Sequence, residues 1–311
     1  MKKFALVEKY RPKTVKDCIL PKHLTDTFQS YVDGGEFPHL LLVGPPGTGK
    51  TTVARAMCEE IGMNYLFLNS SKERGIDTMR MKVSSFAAAK GLDGRRKAVI
   101  MDEADGITPE AQDALRGIME TFEGHCAFIL TCNYASKLIE AIHSRTAKVD
   151  FTVKEDDKLT LQLHFIRRVE EILKAEKVEY DKKALAYVVA SFFPDYRKIL
   201  NELQQISSKG PIDAGVVANL SVDKRFDDLY FYIKKKNFNE ARRWAATNSH
   251  MIDGTIYGKM ERTLMDESDS SSIPQVVYLL NQHQYQAAFV ADQELNFMSL
   301  VVQLMSEVQF K

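Results

Sequence analysis

The sequence predicts an α/β fold: a parallel sheet wrapped by helices in the first half of the chain, then helices alone. Three observations carry this. Short apolar runs recur at Leu40–Val43, Tyr65–Leu68, Ala98–Met101 and Ala127–Thr131, and uninterrupted runs of this length read as strands buried on both faces. Helical periodicity fills the gaps between them, as crossover connections require. Beyond residue 154 the short runs stop and only helical patterns continue.

Composition narrows the class. At 311 residues the chain exceeds one ordinary core, so two or three domains are expected. Hydrophobic content of 45% and charged content of 27% are those of a globular protein. Formal net charge is zero, so nucleic acid would have to be held by a local patch rather than a global field. Cys18, Cys58, Cys126 and Cys132 form no C-x-x-C pair and have no histidine at ligand spacing, which argues against zinc. Scattered thiols suit a reducing interior. No apolar stretch is long enough to span a bilayer and none follows the N-terminal lysines, so no membrane partner and a cytoplasmic location are expected.

Taken in order, residues 1–38 open with a strap, Glu8-Lys9-Tyr10-Arg11-Pro12 to Cys18-Ile19-Leu20-Pro21, whose prolines mark extended or turning backbone. A helix over about 23–32 ends at Gly34-Gly35. After the first strand, Val53, Ala56, Met57 and Ile61 give a helix that Gly62 stops. The second strand ends at Asn69, and a helix from Ile76 to about Lys90 carries Arg74, Arg80 and Lys82 at or near its start. The third strand delivers Asp102 and Glu103. Thr108-Pro109-Glu110 is a helix start, with a capping hydroxyl, proline at the first position and an acid in the first turn. The fourth strand ends at Cys132-Asn133, and Lys148–Phe151 makes a fifth. Leu159, Leu163, Ile166, Val169 and Leu173 then mark the inner stripe of one helix, and Ala184–Phe192 another. Pro194 is expected to open a third, with Tyr196, Ile199, Leu200, Leu203 and Ile206 inward. A polar junction at Ser221–Lys224 precedes further helices, interrupted by a loop at Asp266–Ser272. The expected domains are 1–154 (α/β), 155–222 (helical) and 223–311 (helical).

The chemistry gathers at the carboxyl ends of the strands, where parallel sheets bind ligands. Gly44 to Thr51 fits G-x-x-x-x-G-K-T, filling every fixed position between a strand and a helix. In such a loop glycine backbone approaches phosphate closely and inward N–H groups form an anion nest, completed by the helix N-terminus. Gly44, Pro45, Gly47, Thr48, Gly49, Lys50, Thr51 and Thr52 are therefore the expected phosphate cradle. Lys50 reaches the β- and γ-phosphates and the Thr51 hydroxyl ligates Mg²⁺. Asp102 and Glu103 supply what triphosphate hydrolysis needs beside it: Asp102 for Mg²⁺ and Glu103 to polarise the attacking water. Asn133 either orients that water or merely ends a strand in a turn. Arg197 lies in or beside a first helical turn, where the dipole disfavours a cation, so Asp195 or a bound phosphate must balance it. Arg145 is either an ordinary surface arginine or a finger for a neighbouring subunit's nucleotide. For Arg116, an intrahelical pair with Glu120 is the plain reading.

With these residues in view, the chain resembles the AAA+ ATPases and, within them, the clamp-loader subunits. The segments that carry the resemblance are Glu8–Pro12, Gly44–Thr51, Asp102–Asp105, Ala111–Arg116, Thr131–Asn133 and Ser144-Arg145. Leu20-Pro21 and Phe193–Lys198 are most like the loaders of T4-type bacteriophages, whereas other loaders usually carry Gly-Gln after the strap. The family's usual Ser-Arg-Cys is Ser144-Arg145-Thr146 in this chain. The resemblance implies an AAA+ sheet domain, a small helical lid and a helical collar. It further implies an ATPase that uses ATP and Mg²⁺ within a heteropentamer of four such chains and one different subunit, the clamp-loader small subunit. With ATP bound, the assembly would open a sliding clamp and grip primer–template DNA, and hydrolysis would release the closed clamp during DNA replication, in the host cytoplasm if phage-encoded. By the same resemblance Asn133 is the first sensor, Arg197 the second and Arg145 the finger in trans. Arg116 often faces the neighbour's nucleotide, and Asn69 is the polar residue that restrains the catalytic glutamate. Tyr10, Arg11 and Ile19 line the adenine pocket. Arg74, Arg80 and Lys82 fall on the helix turned toward the DNA backbone, although a solvated helix face explains them equally well.

Overall fold

Five short strands, β1 (Leu40–Val43), β2 (Tyr65–Asn69), β3 (Lys97–Asp102), β4 (Cys126–Cys132) and β5 (Ala147–Asp150), form one parallel sheet in the order β2-β3-β4-β1-β5. This is a computed structural model, and it describes residues 5–70, 76–89, 96–213, 215, 222–249, 252 and 256–311, with side chains left out at 76–80, 222–225, 227, 259 and 262. The chain divides into two compact units, Met1–Val217 and Ala218–Lys311.

In the first unit the alternation of β1 sends Leu40 and Leu42 into one apolar layer and Leu41 and Val43 into the other. Leu40, Leu41 and Leu42 are fully buried, each worth ~1.5–3 kcal/mol relative to exposure. The first layer packs against α2 (Lys22–Gly34) and α3 (Lys50–Ile61) through Phe28 and Met57. The second packs against α4 (Ile76–Ala88) and α5 (Pro109–Thr121) through Val83, Leu115 and Met119. Gly35 ends α2 and Gly62 ends α3, both in the left-handed conformation that glycine tolerates. Thr108 caps α5 by accepting from Ala111 N, with Pro109 at the first helical position. Register sets Val43 beside Cys132 and Asn69 beside Asp102, so the ends of β1, β2, β3 and β4 lie along one edge.

Helices α1 (Leu6–Lys9), α6 (Glu140–His143), α7 (Glu155–Ala175), α8 (Lys182–Phe192) and α9 (Tyr196–Ser207) complete this unit. Two expectations are corrected. On α7 the buried side chains are Leu161, Phe165, Val169, Ile172 and Leu173, while Leu159 is 72% and Leu163 56% exposed. Helical spacing allows both stripes. Phe165 packs its ring 4.6 Å from that of Tyr196, and this aromatic contact selects the second. The third helix of this group, α9, begins at Tyr196 rather than Pro194, because the Asp195 carboxylate caps it by accepting from Lys198 N at 2.9 Å.

The second unit contains α10 (Val222–Lys234), α11 (Phe238–Thr247), α12 (Ile256–Glu267), α13 (Ile273–Ala287) and α14 (Gln293–Glu307). Its core includes Trp244, in tilted ring contact with Phe226 and Phe297. A buried polar network links the Asn296 amide to Tyr257 and His283.

Candidate functional site

The loop between β1 and α3 uses three positive-φ glycines, Gly44 (147°), Gly47 (75°) and Gly49 (94°). Gly44 lies so close to Phe151 that an added Cβ would meet that residue's Cβ at 2.9 Å. At Gly47 an added Cβ would stand 1.8 Å from Asp195 Oδ1, and Tyr196 N donates to Gly47 O at 3.1 Å. The start of α9 is thus seated directly on the loop. Thr48 is buried and its hydroxyl donates to Pro45 O at 2.9 Å, closing the turn.

Lys50 is the first residue of α3 and 7% exposed. Its ammonium donates to Gly44 O at 2.6 Å, Pro45 O at 2.7 Å and Asn133 Oδ1 at 3.1 Å. Burial pulls its pKa below the ordinary lysine value, against a smaller opposing pull from Cys132, Asp102 and Asp105. One turn of chemistry further, Asp102 Oδ1 accepts from Thr51 Oγ1 at 2.5 Å and from Thr131 Oγ1 at 2.7 Å. Thr131 also accepts from Glu103 N at 3.2 Å, so one hydroxyl ties both acids to β4. Glu103 itself holds φ 58° and ψ 46°, a left-handed conformation uncommon outside glycine, at the point where β3 turns away from the sheet. Asp105 Oδ2 accepts from Asn133 N and Tyr134 N, fixing the turn that carries Asn133.

One cleft of about 1190 Å³, counting space open to solvent, collects these groups. Its lining includes Gly47 to Thr52, Asp102, Glu103, Thr131, Asn133 and Arg197. Tyr10, Arg11, Cys18 and Ile19 of the strap, with Ile172 and Leu200, line it as well. The strap there is pinned to α7 and α9: Tyr10 OH donates to Glu176 at 2.6 Å, Lys9 Nζ to the same carboxylate at 2.5 Å, and Leu6 N to Gln204 at 2.9 Å. Thr51 and Asp102 present the all-oxygen donor pair that Mg²⁺ takes, and they are already in mutual contact.

The remaining predicted residues lie elsewhere. Asn69 ends β2 opposite Asp102, next to the acids but outside the cleft lining. Arg145 follows α6 and is held by Glu120 of α5, whose carboxylate also stands 3.7 Å from Arg116. Arg74 and the side chain of Arg80 lie outside the described residues, and Lys82 is exposed on α4. Sequence reading assigned no role to Thr131, Asp105, Phe165 or Arg168, the last two of which line the cleft from α7. Thr131 and Asp105 fall within segments that carry the resemblance, as a hydroxyl inside an apolar strand and an acid two residues past Glu103, whereas Phe165 and Arg168 belong to no motif. All four cysteines are buried and unpaired, and burial raises their thiols, Cys132 to about 11 and Cys58 to about 12. Among the described residues no helix is long and apolar enough to cross a membrane.

Residues 40–153 match the AAA family, the ATPase family associated with various cellular activities. Residues 157–218 match the AAA+ ATPase lid domain of the sliding-clamp-loader large subunit. The chain is 35% identical to the sliding-clamp-loader large subunit of Enterobacteria phage T4, covering 100% of this chain and 98% of that one. It is 42% identical to a replication factor C small subunit of Saccharolobus solfataricus over 76% of this chain and 72% of that one. Among solved structures, the RuvB Holliday junction branch migration motor of Thermotoga maritima superimposes with a TM-score of 0.56 at 17% identity, over 77% of this chain and 85% of that one, a likeness of fold. A phosphate loop, two acids and a lid helix on one cleft, with identity sustained from end to end, lead to one conclusion: the chain belongs to the sliding-clamp-loader large subunits, a family of AAA+ ATPases.

Proposed function

We propose that this chain is the ATPase subunit of a replicative sliding-clamp loader, working in a cytoplasmic heteropentamer of four such chains and one small subunit. ATP binding opens the clamp and grips primer–template DNA, and hydrolysis releases the closed clamp. The observation that carries the reading is the convergence of Lys50, Asp102, Glu103, Asn133 and Arg197 on one cleft. Residues 1–154 serve as the ATPase domain, 155–222 as the lid and 223–311 as the collar. Exposed Tyr285 (69%), Phe289 (73%) and Leu295 (69%) support an oligomerising role for the last.

In this mechanism the triphosphate lies along Gly44–Thr52, with the adenine at the Tyr10, Arg11 and Ile19 end. Lys50 holds the β- and γ-phosphates, and Arg197, at the start of α9, adds a second cation from the lid. Thr51 and Asp102 would hold Mg²⁺, which supplies charge neutralisation on the phosphate oxygens. Glu103 accepts a proton from the water that attacks the γ-phosphorus, while the bond to the β-phosphate oxygen breaks and ADP leaves. Asn133 orients that water. Arg145 acts on the neighbouring subunit's nucleotide, where charge spreads over the equatorial oxygens, and Arg116 faces the same neighbour. Asn69 restrains Glu103 until DNA binds, and Arg74, Arg80 and Lys82 track the DNA backbone without reading bases.

Steady-state ATPase of the assembled loader, with and without clamp and primed DNA and beside a duplex-unwinding assay, tests the proposal. Turnover stimulated by clamp and primed DNA without unwinding is expected. Unwinding activity, or turnover indifferent to both ligands, would overturn it.

A further inference from the structure

Within its own subunit Arg145 is almost fully engaged. Its Nε donates to Glu120 Oε1 at 2.9 Å and its Nη2 donates to the same oxygen. Its Nη1 donates to Ala141 O at 2.9 Å and to Ser144 Oγ at 3.2 Å. A guanidinium has five N–H bonds. One at Nε, one at Nη2 and two at Nη1 are therefore in use, and a single N–H remains.

A finger that steadies a phosphoryl group works through its planar fork, two N–H bonds at once. One spare N–H cannot make that contact. Arg145 must leave Glu120 before it serves a neighbour's nucleotide, so reaching out is an exchange of anions. The structure also provides for the carboxylate left behind. Arg116 sits one helical turn before Glu120, its Nη1 is 3.7 Å from the same Oε1, and its buried Nε has no hydrogen-bond partner.

We infer that Glu120 is a positioning residue that holds Arg145 retracted along its own subunit, and that Arg116 takes over Glu120 when Arg145 swings to the neighbouring nucleotide. The inference rests on the trans role proposed for Arg145. Both partners are partly exposed, 33% for Arg145 and 47% for Glu120, and an ion pair of this kind shifts an equilibrium by up to about fivefold. That is enough to bias the finger inward and small enough for a triphosphate to reverse. The retained position also suppresses wasteful turnover in rings that have not met clamp and DNA.

The test uses the assembled loader and compares ATP turnover without and with saturating clamp and primed DNA. Glu120→Gln keeps the shape but loses the charge. It should raise unstimulated turnover about two- to fivefold, leave the KM for ATP unchanged and leave fully stimulated turnover at its wild-type value. Glu120→Ala should do the same, which guards against a defect peculiar to the amide. In an Arg145→Ala background neither change should raise turnover, since the effect runs through the finger. Unstimulated turnover that stays level or falls, in rings shown intact by native mass spectrometry, overturns the inference while the trans role stands. A rise that survives in the Arg145→Ala background also overturns it. If Arg145→Ala alone turns over like wild type, the trans role itself fails and the inference falls with it.

Discussion

At the scale of single residues, the proposed mechanism separates groups that bind from groups that react. Lys50 carries its charge in the ground state, so Lys50→Ala should lose triphosphate affinity. Glu103→Gln should keep that affinity and lose turnover by about a hundredfold or more, as for a general base. Titration with a fluorescent nucleotide beside kcat checks both, and an equal loss of affinity in the two variants would refute the division. Thr131 supplies a different test. It is 2% exposed and ties Asp102 Oδ1 and Glu103 N to β4. Thr131→Val leaves those groups one partner short, a cost of about 1–3 kcal/mol for buried polar groups, and should lower kcat at least tenfold. Thr131→Ser should restore it; failure of serine to rescue would make Thr131 a packing residue only. Lys50, Asp102 and Glu103 were legible in sequence because their spacing is covalent. Thr131 was not, because the hydroxyl acts through a neighbouring strand that only the sheet order brings alongside.

At the scale of elements, the strap and the lid meet through Glu176. Hydrogen bonds from Lys9, then Tyr10, hold its carboxyl below the ordinary glutamate value of 4.5. A carboxylate whose folded pKa is depressed stabilises fully above its unfolded value and loses that contribution as pH falls through the folded one. The melting temperature of Glu176→Gln should therefore lie below that of wild type at neutral pH. The gap should close in acid, below the lowered pKa. Thermal melts from neutral to acid pH read this directly, and a gap that stays constant would show that Glu176 does not anchor the strap through its charge. Elements bounded by glycine or a capping hydroxyl, such as α2, α3 and α5, were readable almost to the residue. The rotation of α7 was not, because Leu159–Leu163 and Leu161–Phe165 are both acceptable helical stripes. The choice between them is made by Tyr196, more than thirty residues away in sequence.

At the scale of the whole molecule, the first unit announced itself through motifs while the second showed only helical periodicity. Its pairings depend on which aromatic faces which, as Trp244 faces Phe226 and Phe297, and no spacing encodes that. The assembly proposed above allows the decisive test of the trans reading. Arg145→Ala should bind ATP as wild type does yet hydrolyse slowly, since fingers in related systems contribute roughly 10³–10⁵ to turnover. Mixing Arg145→Ala chains with Glu103→Gln chains rebuilds whole sites wherever an intact finger faces an intact glutamate. Mixed rings should recover ATPase that neither variant shows alone, and the recovery should vanish on dilution below the point of dissociation. Recovery no greater than the sum of the two, in rings confirmed as mixed by native mass spectrometry, would mean that Arg145 serves no neighbour.

The hydrogen bonds of Lys50 carry a consequence for how nucleotide enters. An ammonium has three N–H bonds, and Lys50 directs one at each of three protein oxygens. On the proposed mechanism a triphosphate would meet a cation whose N–H bonds are all engaged, so its entry would be a substitution. The acceptor expected to leave first is Asn133 Oδ1, the longest contact at 3.1 Å and the one supplied by a side chain able to rotate. The loop carbonyls at 2.6 and 2.7 Å are the shorter contacts, and holding the β- and γ-phosphates together would draw an N–H from one of them as well. Displacing Asn133 Oδ1 would seat an oxygen of the nucleotide on Lys50 and release the Asn133 amide beside it. The exchange would be recorded as a new orientation of the Asn133 side chain, one residue past the end of β4. A change of partner at one nitrogen would then turn occupancy of this cleft into a conformational signal.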